Sequence, residues 1–89
     1  MEDYGIAAYR SRTQVLRLEA QLKRDGVACM VVSTPREVAL GCGLSVRFEL
    51  ADLDRVRRAV DRVPQQGLIG LYQVHAYGPR RLTALSLRG

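Results

Sequence analysis

The chain has few of the residues that build disulfide scaffolds or metal centres. Its 89 residues include two cysteines, Cys29 and Cys42, and one histidine, His75. Two cysteines are too few for a disulfide scaffold. A structural zinc site needs four ligands, usually grouped in pairs a few residues apart, and these three residues are widely spaced. The sequence therefore predicts free thiols, with no metal site and no cofactor.

Long apolar runs are also absent. No stretch approaches the roughly 20 apolar residues that span a bilayer. The acidic segment Met1–Tyr4 lacks the basic residues and apolar run of a signal peptide. We therefore expect a cytoplasmic protein with no membrane partner. A hydrophobic content of 47% is typical of a folded chain, and this length allows one modest core.

Lysine is scarce: the positive charge is carried by thirteen arginines and one lysine. The net charge is +5. Such a charge suits anions, and nucleic acid is one candidate partner. The arginines are nevertheless spread along the chain and alternate with aspartates in the second half. No basic run with interleaved aromatic residues is present, which argues against nucleic-acid binding.

The apolar pattern predicts the order β-α-β-β-α-β. The predicted helices cover 12–25 and 51–63, and the predicted strands are Tyr4–Tyr9, Val27–Val32, Leu44–Glu49 and Leu68–Ala76. Two βαβ halves in one small chain predict an α+β, ferredoxin-like fold: a four-stranded antiparallel sheet with two helices on one face. The other face, with Gly5, Ala7 and Tyr9 or their alternates, is then open. An open apolar face invites a partner, so we expect a homodimer through it.

The predicted domain covers residues 1–78. Residues 79–89 form a C-terminal extension, for which both a short strand and a flexible tail fit the basic, partly alternating segment Arg80–Gly89. In the first helix, Ser11 and Gln14 predict a capping box, and Gly26 predicts a left-handed end. Cys29 lies in an apolar strand and is predicted to be a core residue.

The segment Ser33–Leu44 links two predicted strands and carries the chemistry. Thr34, Pro35 and Glu37 predict a second capping box and a single helical turn over Pro35–Leu40.

Cys42 follows that turn between two glycines, Gly41 and Gly43. Either glycine can take a positive φ, and their N–H groups can form a nest around an anionic sulfur. Arg36 and Arg47 are the nearest candidate cations. No histidine is adjacent, so acyl-enzyme catalysis is poorly supported. From these residues alone, a reactive thiol and an incidental turn both remain open.

Three pieces of this region carry a family resemblance. Thr34–Val38, Gly41–Leu44 and Val46–Phe48 resemble the T-P-R, C-G-L and R-F motif of the DUF3343 family, described as selenium/sulfur carrier-like proteins. The resemblance covers about residues 4–74.

The resemblance implies that Cys42 carries a persulfide or perselenide, as a carrier thiol rather than an enzyme. It implies that Arg36 and Arg47 stabilise the anion or dock a partner. Gly41 and Gly43 would expose the sulfur, and Thr34 and Pro35 would shape the loop. The implied partners are sulfur or selenium donor and acceptor proteins.

Two other functions fit the same residues. The chain could be a small regulatory or ligand- and anion-binding module of ferredoxin-like fold, in which Cys42 is structural. Alternatively, Cys42 could be a redox-sensing thiol that forms a sulfenic acid or an intermolecular disulfide.

Overall fold

The computed structural model describes residues 2–36, 38, 43–64, 66–78 and 81–87. Within them the chain forms five strands and two helices. In chain order these are β1 (Tyr4–Tyr9), α1 (Arg12–Arg24), β2 (Cys29–Ser33), β3 (Leu44–Phe48), α2 (Leu53–Arg62), β4 (Leu68–His75) and β5 (Arg81–Leu85). A short 3-10 turn, Leu50–Asp52, leads into α2. Neither described helix is long and apolar enough to cross a bilayer.

The strands form one antiparallel sheet in the order β2-β3-β1-β4-β5. The predicted α+β class is confirmed, but the predicted count of four strands is wrong. The fifth strand, β5, pairs with β4 through a register that places Leu82 opposite Val74 and Leu85 opposite Leu71. Leu85 also packs against the core. Cross-strand pairing and this apolar contact therefore draw part of the C-terminal extension into the sheet.

The core lies on one face of the sheet, where the apolar stripes of both helices pack. Val46 and Phe48 of β3 alternate with polar neighbours, as the sequence predicts, and face this core. Both helices contribute buried residues at helical spacing: Val15, Leu18 and Leu22 from α1, and Val56, Ala59 and Val60 from α2. Each fully buried Leu or Val contributes roughly 1.5–3 kcal/mol.

The end of α1 is fixed by backbone bonds. Gly26 has a φ of 76°, as predicted. Its N–H donates to the Lys23 carbonyl (3.1 Å), and the Val27 N–H donates to the Leu22 carbonyl (2.9 Å). This is a Schellman motif, in which the two bonds satisfy carbonyls of the last turn. Because Val27 belongs to this motif, β2 begins two residues later than predicted, at Cys29.

The predicted capping box at the start of α1 is wrong. Ser11 does occupy the N-cap position, but its side chain makes no capping hydrogen bond. The Gln14 Oε1 atom is buried and accepts no hydrogen bond from the described residues. The helix is therefore held by its buried stripe rather than by reciprocal capping.

The open face of the sheet carries the alternate residues of β1, among them Ile6 and Ala8. Both are buried within the single chain. Gly70 lies opposite Ala8, and the Tyr72 side chain leans over Gly70, so that an added Cβ there would lie 3.1 Å from the Tyr72 hydroxyl. Met30 stays 54% exposed on this face. The homodimer through the face remains a prediction.

Candidate functional site

The segment Ser33–Leu44, which we call the Cys42 loop, begins and ends at the ladder between β2 and β3. The base of the loop continues this ladder. The Thr34 N–H donates to the Gly43 carbonyl at 2.9 Å, one step beyond the pair Ser33 and Leu44. Gly41 and Cys42 lie outside the described residues. The exposure of the Cys42 sulfur and the nest around it therefore remain predictions.

A buried pair of hydroxyls closes this base. The Thr34 and Ser45 hydroxyl oxygens lie 2.7 Å apart, and the two residues are 8% and 0% exposed. The predicted capping role of Thr34 involved Glu37, which lies outside the described residues. A turn does begin here, because the Val38 N–H donates to the Pro35 carbonyl at 3.0 Å. The predicted end of that turn, Leu40, also lies outside the described residues.

Sequence reasoning missed Ser45. Alternation along β3 places Ser45 on the face opposite Leu44 and Val46, which face the core, and so suggests exposure to solvent. Ser45 does lie on the open face, but Thr34 shares that face across the ladder and covers it. The available signal was the Thr34 hydroxyl, which lies one residue beyond β2 and diagonally across the ladder from Ser45, but it can be recognised only when the strand register is known.

Gly43 is needed for close approach rather than for a left-handed backbone. Among the described residues, positive φ occurs only at Gly26, Gly67 and Gly78. A Cβ on Gly43 would lie 3.1 Å from the Thr34 Oγ1 atom and 3.6 Å from the Tyr9 carbonyl oxygen. Gly43 is thus not the glycine that takes a positive φ, and Gly41 lies outside the described residues. A side chain there would press on the buried hydroxyl pair.

Arg36 and Pro35 divide the described start of the loop between solvent and protein. Pro35 is buried, and Arg36 is exposed. Pro35 has a fixed φ and anchors the chain beside the Thr34 base. The Arg36 guanidinium is accessible to an anion or a partner, and its binding role remains a prediction.

Arg47 does not join the base of the loop. It is four residues beyond Gly43 along β3, or about 13 Å at a rise of about 3.3 Å per residue. Its guanidinium lies 3.8 Å from the centroid of the Tyr4 ring. Tyr4 precedes Gly5, which pairs with Phe48, so the Arg47 side chain leans away from the loop. Its predicted support of Cys42 remains a prediction.

Arg47 instead lines a groove of about 450 Å³ at the far end of β3. The groove is formed where β1 and β2 begin and β3 ends. Its walls consist of Glu2, Asp3, Tyr4, Ala28, Cys29, Met30, Arg47, Phe48 and Glu49. Sequence reasoning missed this site, because it depends on a register that brings three separate segments together. We call it the Arg47 groove.

The thiol of Cys29 belongs to the helix side of the sheet. Cys29 is partly buried against the core, and its Sγ lies 3.9 Å from the Glu19 carbonyl oxygen. Burial raises the pKa of the Cys29 thiol, and the negative charge of Glu19 adds to the increase, partly offset by Lys23. The protonated thiol predominates at neutral pH, so Cys29 is a weak nucleophile.

His75 takes part in a polar cluster on the helix side of β4 and β5. Its Nδ1 lies 3.2 Å from the Asp3 carboxylate, and its Nε2 lies 2.7 Å from the Thr83 hydroxyl. Asp3 also accepts hydrogen bonds from the Ala76 N–H (2.8 Å) and the Gln73 amide (2.9 Å). These bonds, the one from Ala76 first, lower the pKa of Asp3. Within the described ranges, no three ligand-type side chains are grouped to hold a metal ion.

Comparison with known proteins agrees with the family resemblance. The family described as "Putative Se/S carrier protein-like" matches residues 4–66, which include the whole segment from Thr34 to Phe48. No curated protein and no solved structure matches the chain. The match covers well over half of the sequence, and the chain therefore belongs to this family, the DUF3343 family.

Proposed function

We propose that this protein carries sulfur or selenium on Cys42, as a persulfide or perselenide, between a donor and an acceptor protein. The observation that carries the proposal is the family match, which spans the Cys42 loop and both flanking strands. Cys42 is the reactive thiol because Cys29, the other cysteine, is held against the core with a raised pKa.

The chemistry needs one nucleophilic thiolate and no cofactor. The Cys42 thiolate attacks the terminal sulfur of a donor persulfide, R–S–SH. A new S–S bond forms to Cys42, the S–S bond of the donor persulfide breaks, and the donor leaves as R–S⁻. The terminal proton stays on the transferred sulfur. The acceptor thiolate then repeats the same exchange on the Cys42 persulfide, so no net oxidant is consumed.

The base of the loop suits a carrier. The Thr34–Gly43 hydrogen bond and the Thr34–Ser45 contact fix the point at which the loop leaves the sheet. Arg36 is exposed on the same loop, where its planar guanidinium can hold an anionic sulfur species or dock a partner. Gly41 and Gly43 have no side chains that could shield the sulfur. A fixed base and a thiol flanked by glycines would suit a loop that enters a partner's site.

We further propose that the fold is ferredoxin-like, with one strand added. The order β2-β3-β1-β4 and the packing of both helices on one face support this proposal, and β5 extends the edge beside β4. Residues 1–78 would form the domain and 79–89 its extension. The cytoplasmic location remains a prediction.

The proposal is tested by treating the protein with a persulfide donor, R–S–SH, and, separately, with a perselenide donor, R–S–SeH, and measuring intact mass. The wild type should gain one sulfur or selenium atom. Cys42→Ser should lose this adduct. Cys29→Ser is the matched control and should retain it, because the Cys29 thiol is protonated and packed against the core.

A second measurement follows transfer from loaded protein to a thiol acceptor. The rate at which Cys42 reacts with the donor should exceed the rate for free cysteine, whose pKa is about 8.5. The carrier proposal fails if Cys42 reacts no faster than free cysteine, or if the adduct survives in Cys42→Ser.

A second candidate function, a ligand-binding module, is favoured by the Arg47 groove. Arg47 and the loop lie at opposite ends of β3, so the groove offers a guanidinium that the loop base does not use. Saturable binding of a small anion in a Cys42→Ser variant would support this function.

A further inference from the structure

The Arg47 groove holds a guanidinium that has no counterion among the described residues. The Arg47 guanidinium stacks over the Tyr4 ring. No described carboxylate lies within 4.0 Å of this guanidinium. Stacking on an aromatic face orients the guanidinium plane and leaves its N–H edges available. Such an edge matches a carboxylate through two parallel hydrogen bonds.

Acidic residues line the same groove without a described ion pair to Arg47. Glu2 and Glu49 line the groove, and both are exposed. Asp3 also lines it, but its carboxylate already accepts hydrogen bonds from Ala76 and Gln73. Glu2 and Glu49 have no ion-pair partner among the described residues, and their carboxylates attract an ammonium group and repel a multiply charged anion such as phosphate. The charge pattern therefore suits a ligand with one carboxylate and one ammonium.

The rest of the groove wall is apolar. Met30 lies directly opposite Arg47 in the β2–β3 ladder and is exposed, and Ala28, two residues before Met30, also lines the groove. Methionine adapts its shape to irregular apolar partners. A volume of about 450 Å³ lies within the range of small-ligand pockets and exceeds what one carboxylate needs. A ligand side chain that contacts Met30 and Ala28 would thus be apolar.

We propose that the Arg47 groove binds a free α-amino acid with an apolar side chain. The carboxylate takes the Arg47 guanidinium, the ammonium faces Glu2 and Glu49, and the side chain packs on Met30 and Ala28. This site is separate from the Cys42 loop and goes beyond the carrier function. Because the two sites lie at opposite ends of β3, one can fail its test while the other passes.

The test is isothermal titration calorimetry of the full chain with L-methionine, L-methionine methyl ester, N-acetyl-L-methionine and L-glutamate. L-methionine should bind with saturation. The ester lacks the carboxylate, the acetylated form lacks the ammonium, and glutamate adds a negative charge. Each should bind about tenfold more weakly or worse, because charge-assisted hydrogen bonds dominate such recognition. Equal affinity for the ester overturns the role of Arg47.

Variants locate the site. Arg47→Met should weaken L-methionine binding about tenfold or more, and Arg47→Lys should weaken it less, since it keeps the charge but not the planar fork. Arg58→Met, at an exposed position of α2, is the matched control and should bind as the wild type does. Circular dichroism and a thermal melt check that each variant folds. The proposal is overturned if L-methionine shows no saturable binding to the wild type. It is also overturned if a folded Arg47→Met variant binds L-methionine as the wild type does.

Discussion

The two ends of β3 present the same open face in opposite states. At the loop end, Ser45 is fully buried in a hydroxyl pair with Thr34. At the groove end, Arg47 lines an open cavity and stacks on Tyr4. Both residues alternate with core residues and share one face of the strand. The difference shows that the partner strand decides whether a polar position is packed or available to a ligand.

The largest expected effect lies beneath the groove end. The Phe48 ring lies directly over Gly5 of β1, and a Cβ on Gly5 would overlap the ring. Gly5→Ala should therefore lower the free energy of unfolding by about 3 kcal/mol, because a packed core tolerates little added volume. Urea unfolding monitored by circular dichroism measures this value.

A double-mutant cycle identifies the cause. Phe48→Leu removes part of the ring that Gly5→Ala would strike, so the double variant should lose less stability than the two single losses combined. Strict additivity would mean that the ring does not restrict Gly5. The contact between Phe48 and Gly5 would then not contribute to the packing beneath the Arg47 groove.

At the loop end, a second cycle tests the hydroxyl pair. Ser45→Ala or Thr34→Val leaves one buried hydroxyl without its partner, which should cost about 1–3 kcal/mol in each single variant. The double variant leaves no orphan hydroxyl and should recover much of this loss. The readout is again the free energy of unfolding in urea. Additive losses would show that the pair does not hold the base of the loop.

A smaller loss is expected from Gly43→Ala. The added Cβ would lie 3.1 Å from the Thr34 Oγ1 atom, so the hydroxyl pair must shift by a few tenths of an ångström. We expect a loss of about 1 kcal/mol, at the lower limit for overpacking. Thermal unfolding of Gly43→Ala in the wild-type and Thr34→Ala backgrounds measures it. An equal loss in both backgrounds would contradict steric contact with the Thr34 side chain.

Local signals in the sequence predicted most of the fold. β1, both helices and the left-handed Gly26 follow from apolar periodicity and a glycine stop, which act within a few residues. The sequence does not decide between a strand and a tail for β5, because the stability of this strand comes from pairing with β4 and from contact of Leu85 with the core. Pairing between distant segments has no local signature.

The candidate site divides in the same way. The motif around Cys42 identified the family, since residue order alone carries it. The positions of Ser45 and Arg47 could not be predicted, because each depends on which residues of β1 and β2 lie opposite β3. Spacing in the chain placed Arg47 near Cys42, whereas four residues of extended strand carry it about 13 Å from Gly43.

The smallest expected effect concerns acid, at the groove end. Asp3 ties the start of β1 to β4 through the Ala76 N–H and the Gln73 amide, and these bonds lower the pKa of its carboxylate. The folded state therefore prefers the ionised form. Its contribution to stability is complete above the ordinary pKa of about 3.8 and is lost as pH falls through the lower folded value.

Asp3→Asn should therefore reduce stability at neutral pH and make unfolding less dependent on pH below about pH 4. The effect should be modest, because solvent screens a partly exposed carboxylate. Urea unfolding at pH values from about 2 to 7 measures this pH dependence. Glu2→Gln is the matched control, since Glu2 accepts no described hydrogen bond. If both variants show the wild-type acid slope, the ties of Asp3 to β4 do not stabilise the groove end. The acid dependence of unfolding would then arise from other carboxylates of the chain.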